Sequence, residues 1–142
     1  MAAPQTDHDA PTTVELASTP IHLGLGSTAE PLVGFSWSPE YLDAYSERTA
    51  GDGADGRMVT MFDQRETWTS WERHPAGAEV VVLLSGRADL IQEIDGEHRR
   101  IELHPGEATI NPPGVWHTCD VIEPGEALFI TPGLGTEHRP RA

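Results

Sequence analysis

A single cysteine, Cys119, stands in 142 residues, so no intramolecular disulfide can form and no thiolate cluster can hold zinc. A reducing, cytoplasmic setting is the expectation that follows. Basic residues are scarce too: 9 Lys and Arg face 23 Asp and Glu, a formal net charge of -14. Phosphate backbones need a basic stripe, so no nucleic acid partner is expected. Nowhere do about 18 apolar residues run together. The opening MAAPQTDHDAPTT has neither a basic nor an apolar signal region, and neither a membrane partner nor an export signal is expected. Aromatic residues are few, at 6%.

Turn formers, by contrast, are plentiful. With 14 Gly and 12 Pro, the chain favours many short strands joined by tight turns over long helices. Its length suits one domain. Residues 1–18 are polar, rich in Pro and Thr and without apolar periodicity, and read as a flexible N-terminal arm before a single domain over 19–142. IHLGLG from Ile21 and PLVGFSW from Pro31 suit one or two edge strands. Ser38-Pro39-Glu40 joins an N-cap residue, a proline at the first helical position and an acid near the positive helix end, which predicts one short helix to about Arg48. GDGADG, at positions 51–56, is a loop.

From Arg57 onward eight strand-like pieces follow: RMVTMFDQ, ETWTSWERH, AEVVVLLS, RADLIQEI, EHRRIEL, EATINP, VWHTCDVI and EALFITP. Asp95-Gly96 between two of them is the sequence form of a two-residue hairpin turn. Eight short strands at this spacing predict an all-β closed barrel or jelly roll, in which closure removes exposed sheet edges.

Chemistry concentrates on two of these strands. Glu72 and His74 are two residues apart, so both side chains leave the strand on one face, and Trp71 and Arg73 leave on the other. Glu79 follows after Pro75-Ala76-Gly77-Ala78 and approaches His74 if the two strands pair. His117 shares a face with Val115, Cys119 and Val121, which marks that face as core. A buried histidine needs a partner, and two carboxylates buried together without a cation force one to protonate. One divalent metal ion bound by Glu72, His74, Glu79 and His117 satisfies all four, with Fe, Mn, Ni or Zn as candidates. The plainer reading, spaced His and Glu on a solvated face, stays open on the residues alone.

The segment Glu72–Gly86, E-x-H-(x4)-E-(x6)-G, resembles the first cupin motif, G-(x5)-H-x-H-(x3,4)-E-(x6)-G, without its opening glycine. Gly106–His117, G-(x5)-P-x-G-(x2)-H, resembles the second through its histidine. The resemblance implies a cupin double-stranded β-helix with one short helix, and puts His74, Glu79 and His117 at metal-ligand positions. Glu72 stands where the first motif histidine would be, Glu66 replaces the opening glycine, and Val121 the final asparagine of the second motif.

The implied function is a small metal-binding cupin, a metal-dependent enzyme with oxygenase-like chemistry first and isomerase or lyase chemistry next, acting on a small polar or anionic molecule. A non-catalytic binding or sensing cupin and a barrel with a degenerate site are the alternatives. The catalytic residues and the substrate stay unassigned. Cys119 is read either as a neighbour of the metal or as a small buried hydrophobe. Trp68, Trp71 and Trp116 are read as core or interface packing residues, with stacking on a substrate as the sharper option. The C-terminal GTEHRPRA is read as a frayed end, with His138 or Arg139 reaching an anionic substrate as the sharper option. His8, His22, His98 and His104 carry no functional argument. A homodimer is expected, with the apolar stretches near residues 21–37 covering exposed sheet edges.

Overall fold

The computed structural model describes residues 13–142. The first twelve residues of the expected arm, with His8, lie outside that range. Eleven strands follow one another: β1 (Ile21–Gly24), β2 (Thr28–Pro31), β3 (Arg57–Gln64), β4 (Ser70–Arg73), β5 (Glu79–Leu83), β6 (Arg87–Ile94), β7 (Glu97–Leu103), β8 (Ala108–Asn111), β9 (His117–Glu123), β10 (Gly125–Thr131) and β11 (Glu137–Pro140). They form two antiparallel sheets, β2-β1-β3-β10-β5-β8 and β11-β4-β9-β6-β7. This is an all-β jelly roll.

One α-helix, α1 (Pro39–Arg48), interrupts them where the capping signal predicted it, with the Ser38 hydroxyl accepting from the Tyr41 amide at 3.2 Å. It buries no residue, and side chains anchor it instead. Arg48 pairs with Glu30 of β2 at 2.8 Å. His22, buried in β1, lies 2.5 Å from the Tyr45 hydroxyl and 2.6 Å from an Asp52 carboxylate oxygen. His22 therefore ties the first strand to the helix and to the GDGADG loop, which is wound into 3-10 turns over Ala50–Asp55.

The sheets pack through side chains of alternate residues. Val81 and Leu83 of β5 and Ala127 and Phe129 of β10 meet Ala88 and Leu90 of β6, Leu103 of β7 and Cys119 of β9. The same inward rows change character toward one end. Leu83-Val81 runs on to Glu79, Ala88-Leu90 to Gln92, Phe129 to Thr131, and Cys119 to His117. One half of the interior is thus an apolar core and the other a polar chamber. Because the row period is two, the register that buries the core residues also delivers the polar ones to the chamber.

Turn chemistry holds these registers. Asp95 and Gly96 both have positive φ, 54° and 78°, the hairpin turn predicted between β6 and β7. Gly86 has φ 80°, and a Cβ there would lie 2.5 Å from the Glu123 carbonyl oxygen, which explains the glycine closing the first motif.

Two expectations are corrected. IHLGLG and PLVGFSW do not each supply an edge strand: β1 lies between β2 and β3, and β2 takes only Pro31 from the second stretch. The C-terminus is not frayed, because Glu137–Pro140 pairs with β4 as the edge of the five-stranded sheet.

Candidate functional site

Glu72, His74, Glu79 and His117 converge in the polar chamber, each offering one ligand-type atom within 4.8 Å of the others. His74 Nε2 lies 2.8 Å from Glu72 Oε1 and 3.1 Å from Glu79 Oε2. His117 Nε2 lies 3.2 Å from Glu79 Oε1 and 3.9 Å from Glu72 Oε1. The route to this meeting differs from the one expected. β4 and β5 do not pair but lie in opposite sheets, so Glu79 reaches His74 across the barrel interior. Within the five-stranded sheet His138, Glu72, His117 and Gln92 form one cross-strand row.

The hydrogen bonds around the four residues orient them for a cation. His117 Nδ1 lies 3.2 Å from the Val115 carbonyl, which can only accept, so Nδ1 carries a proton and Nε2 is the nitrogen turned to the carboxylates. The Thr136 hydroxyl donates to the Gly133 carbonyl at 2.9 Å, leaving its oxygen to accept from His74 Nδ1 at 2.8 Å. Both Nε2 atoms are buried, and each faces a carboxylate oxygen, His74 that of Glu72 at 2.8 Å and His117 that of Glu79 at 3.2 Å. Two buried ring nitrogens pointed at two carboxylates fit a metal ion well.

Glu79 is 2% exposed, yet it keeps its charge. It accepts from Asn111 Nδ2 at 3.0 Å and from the Thr131 hydroxyl at 2.6 Å. Asn111 is itself oriented by Gln92, whose amide donates to Asn111 Oδ1 at 2.9 Å. Burial works to raise the Glu79 carboxyl, but hydrogen bonds and charges from His117 and His74 hold it far below the usual carboxylate range. Glu72 is likewise lowered, its burial outweighed by the bond to His74. Burial pushes His74 down, and its bonds and charges from Glu72 and Glu79 raise it to about 9. Once His74 gives up its proton, two carboxylates with two neutral imidazoles carry two negative charges, which one divalent ion would neutralise.

Asn111, Gln92, Thr131 and Thr136 carried no sequence argument. Asn111 sat in the open positions of the second motif, and only the fold turns it toward Glu79. Cys119 is the small buried hydrophobe: it packs in the core cluster, and burial first raises its thiol to about 12. Trp68 packs against the core, its indole nitrogen donating to Gln64 Oε1 at 2.7 Å. Arg139 does not face the chamber. Its guanidinium lies 4.5 Å from the Trp116 ring and 5.3 Å from that of Trp71, and it pairs with Glu93 at 2.6 Å, so the anion-binding option for it falls.

A model of the cupin domain matches residues 58–122, which include all four converging side chains and both motifs. This segment is a cupin domain, and the jelly roll built around it has the cupin fold. No curated protein sequence matches this cupin. Among solved structures it is similar to a cupin-2 domain containing protein from Shewanella frigidimarina, at 21% identity over 60% of this chain and 71% of that one, with TM-score 0.45. It is also similar to oxalate decarboxylase from Bacillus subtilis, a protein with Mn(II) centres, at 18% identity and TM-score 0.51. That match covers 68% of this cupin but only 26% of the decarboxylase chain. No helix among the described residues is long and apolar enough to cross a membrane.

Proposed function

We propose that this cupin is a metal-dependent enzyme in which Glu72, His74, Glu79 and His117 hold one divalent ion, with oxygenase-like chemistry on a small polar molecule. The observation that carries the reading is the convergence of two buried imidazole Nε2 atoms on two ionised carboxylates, with ligand-type atoms of all four residues within 4.8 Å of one another. A degenerate barrel has no reason to keep that arrangement, since each such group raises the cost of folding. When bound, a divalent ion of this class supplies Lewis acidity and, for Fe(II) or Mn(II), redox chemistry with O2. The protein's share is geometric: Asn111 and Thr131 fix Glu79, Thr136 fixes His74, and the Val115 carbonyl fixes His117.

Access favours turnover over mere storage. His74, Glu79 and His117 are buried, whereas the Glu72 side chain is 24% exposed, which makes Glu72 the point where the group meets solvent. A homodimer belongs to the same proposal. Exposed Val33 and Trp37 lie in the apolar segment expected to cover a partner, at 68% and 55% exposure. A cytoplasmic setting also belongs to it, supported by the single, buried Cys119.

The test is metal analysis followed by O2 uptake. Purified protein should carry one equivalent of a divalent metal, His117→Ala should carry none, and protein loaded with Fe(II) should consume O2 with some members of a panel of small hydroxylated or carboxylated compounds. A metal-loaded protein that binds such compounds without consuming O2 or altering them would leave a binding module and overturn the enzyme reading.

A further inference from the structure

The cupin-domain match ends at residue 122, yet three side chains beyond it touch the candidate ligands, Thr131 of β10 and two in the C-terminal segment. Thr136 holds His74 Nδ1, and His138 Nε2 lies 2.9 Å from Glu72 Oε2. Both belong to the C-terminal strand or its immediate approach, the segment that its sequence marked as a frayed end. The strand is well anchored. Glu137 takes the Arg73 guanidinium at 2.6 Å, Arg139 lies over the rings of Trp71 and Trp116, and Arg141 reaches Asp120 and the Trp68 carbonyl. These contacts lie mostly on the outer face of the sheet, and the strand period places His138, between Glu137 and Arg139, on the Glu72 side.

We infer that His138 is a positioning residue for Glu72, and that β11 is a working part of the metal centre. The need for it follows from the residue that replaces the motif histidine. A glutamate has more rotatable bonds than a histidine and, with its side chain 24% exposed here, can swing to water. His138 stands directly opposite Glu72 in the antiparallel register and occupies Oε2. That leaves Oε1 turned inward, 2.8 Å from His74 Nε2, as the oxygen that would be free to hold a bound ion. The His138 side chain is 59% exposed and contributes nothing to the core, so its one directed contact is this carboxylate. Partners of this kind around metal ligands change affinity by about 10- to 100-fold when removed.

The inference rests on the metal reading, and the experiment separates the two. Mn(II) alone is titrated, with free Mn(II) followed by its EPR signal, into wild type, His138→Ala and His138→Gln, each with Glu72 intact and with Glu72→Ala. Expected are a loss of at least about tenfold for His138→Ala and recovery of most of it in His138→Gln, whose amide nitrogen can donate to the same oxygen. In the Glu72→Ala background His138→Ala should change nothing further, because the contact is already gone. General loosening of β11, which also carries the Thr136 contact to His74, would weaken both backgrounds alike. Equal losses in the two backgrounds, or an unchanged Kd in His138→Ala, would overturn the role of His138 and leave the metal site standing. Should Glu72→Ala bind too weakly to titrate, the Gln variant decides: recovery supports the inference and a loss equal to that of Ala overturns it. Wild type that binds no Mn(II) would overturn the metal reading and this inference with it.

Discussion

Metal binding to this cupin should be strongly pH-dependent, because the ion must displace a proton from His74. Burial disfavours the charged ring, but the bonds and charges from Glu72 and Glu79 raise its pKa to about 9. At pH 7 the stripped protein therefore carries a proton on the nitrogen that a cation needs. Kd should improve about tenfold per pH unit well below that pKa and level off as pH reaches it, about fiftyfold from pH 7 to 9, equivalent to about 2.3 kcal/mol. The same shift sets the stability of the stripped protein. A folded-state pKa above the unfolded value of about 6.5 contributes stability that is complete below pH 6.5 and is lost as pH rises through about 9. Glu72 and Glu79, both lowered, contribute above their unfolded value, about 4.5, and their contribution is lost as pH falls through their folded values. The metal-induced rise in Tm should therefore grow from pH 6.5 to pH 9 and vanish in acid. Isothermal titration with Mn(II) under nitrogen, in half-unit steps from pH 6.5 to 8.5, measures the slope. A Kd that moves less than about twofold across that interval would refute the protonated His74 and the coupling to Glu72 and Glu79.

Four further outcomes follow from named contacts. Glu72→Ala should weaken metal binding, whereas Glu72→His should retain a metal and raise the relative affinity for Ni(II), Cu(II) or Zn(II), measured by competition titration. Asn111→Leu keeps the branched outline at a larger volume but removes the bond to ionised Glu79, and should lower stability by at least about 2 kcal/mol and metal affinity by about tenfold or more, read by denaturant titration and Mn(II) binding. Gly86→Ala should destabilise by at least about 2 kcal/mol, since its φ is positive and its Cβ would meet the backbone of Glu123 and Pro124; an unchanged melting curve would contradict the packing argument. Sedimentation at micromolar concentration should show a dimer that Val33→Arg with Trp37→Arg dissociates, and a wild-type monomer would reject the dimer.

Much of the fold was legible because β-barrels write themselves in local terms. Eight apolar pieces from Arg57 to Pro132 became β3–β10, Ser38-Pro39 began the helix, and Asp95-Gly96 turned the hairpin, since alternation, capping and positive φ depend on neighbouring residues. Glu72, His74, Glu79 and His117 were legible for a similar reason. Strand parity put Glu72 beside His74, and motif spacing singled out Glu79 and His117. The partnerships between strands were not legible. Which strand lies beside which is decided by the whole closed sheet, and nothing local says that Glu79 meets His74 across the interior instead of along a pair. Asn111, Gln92, Thr131 and Thr136 are ordinary polar residues until two sheets bring them within 3 Å of Glu79, His74 or one another. The C-terminal segment shows the limit most clearly: EHRP has no apolar alternation, so by itself it reads as a loose end. It becomes a strand because β4 offers an open edge and because Trp71 and Trp116 receive Arg139. Only that pairing, made between residues 66 positions apart, places His138 on Glu72.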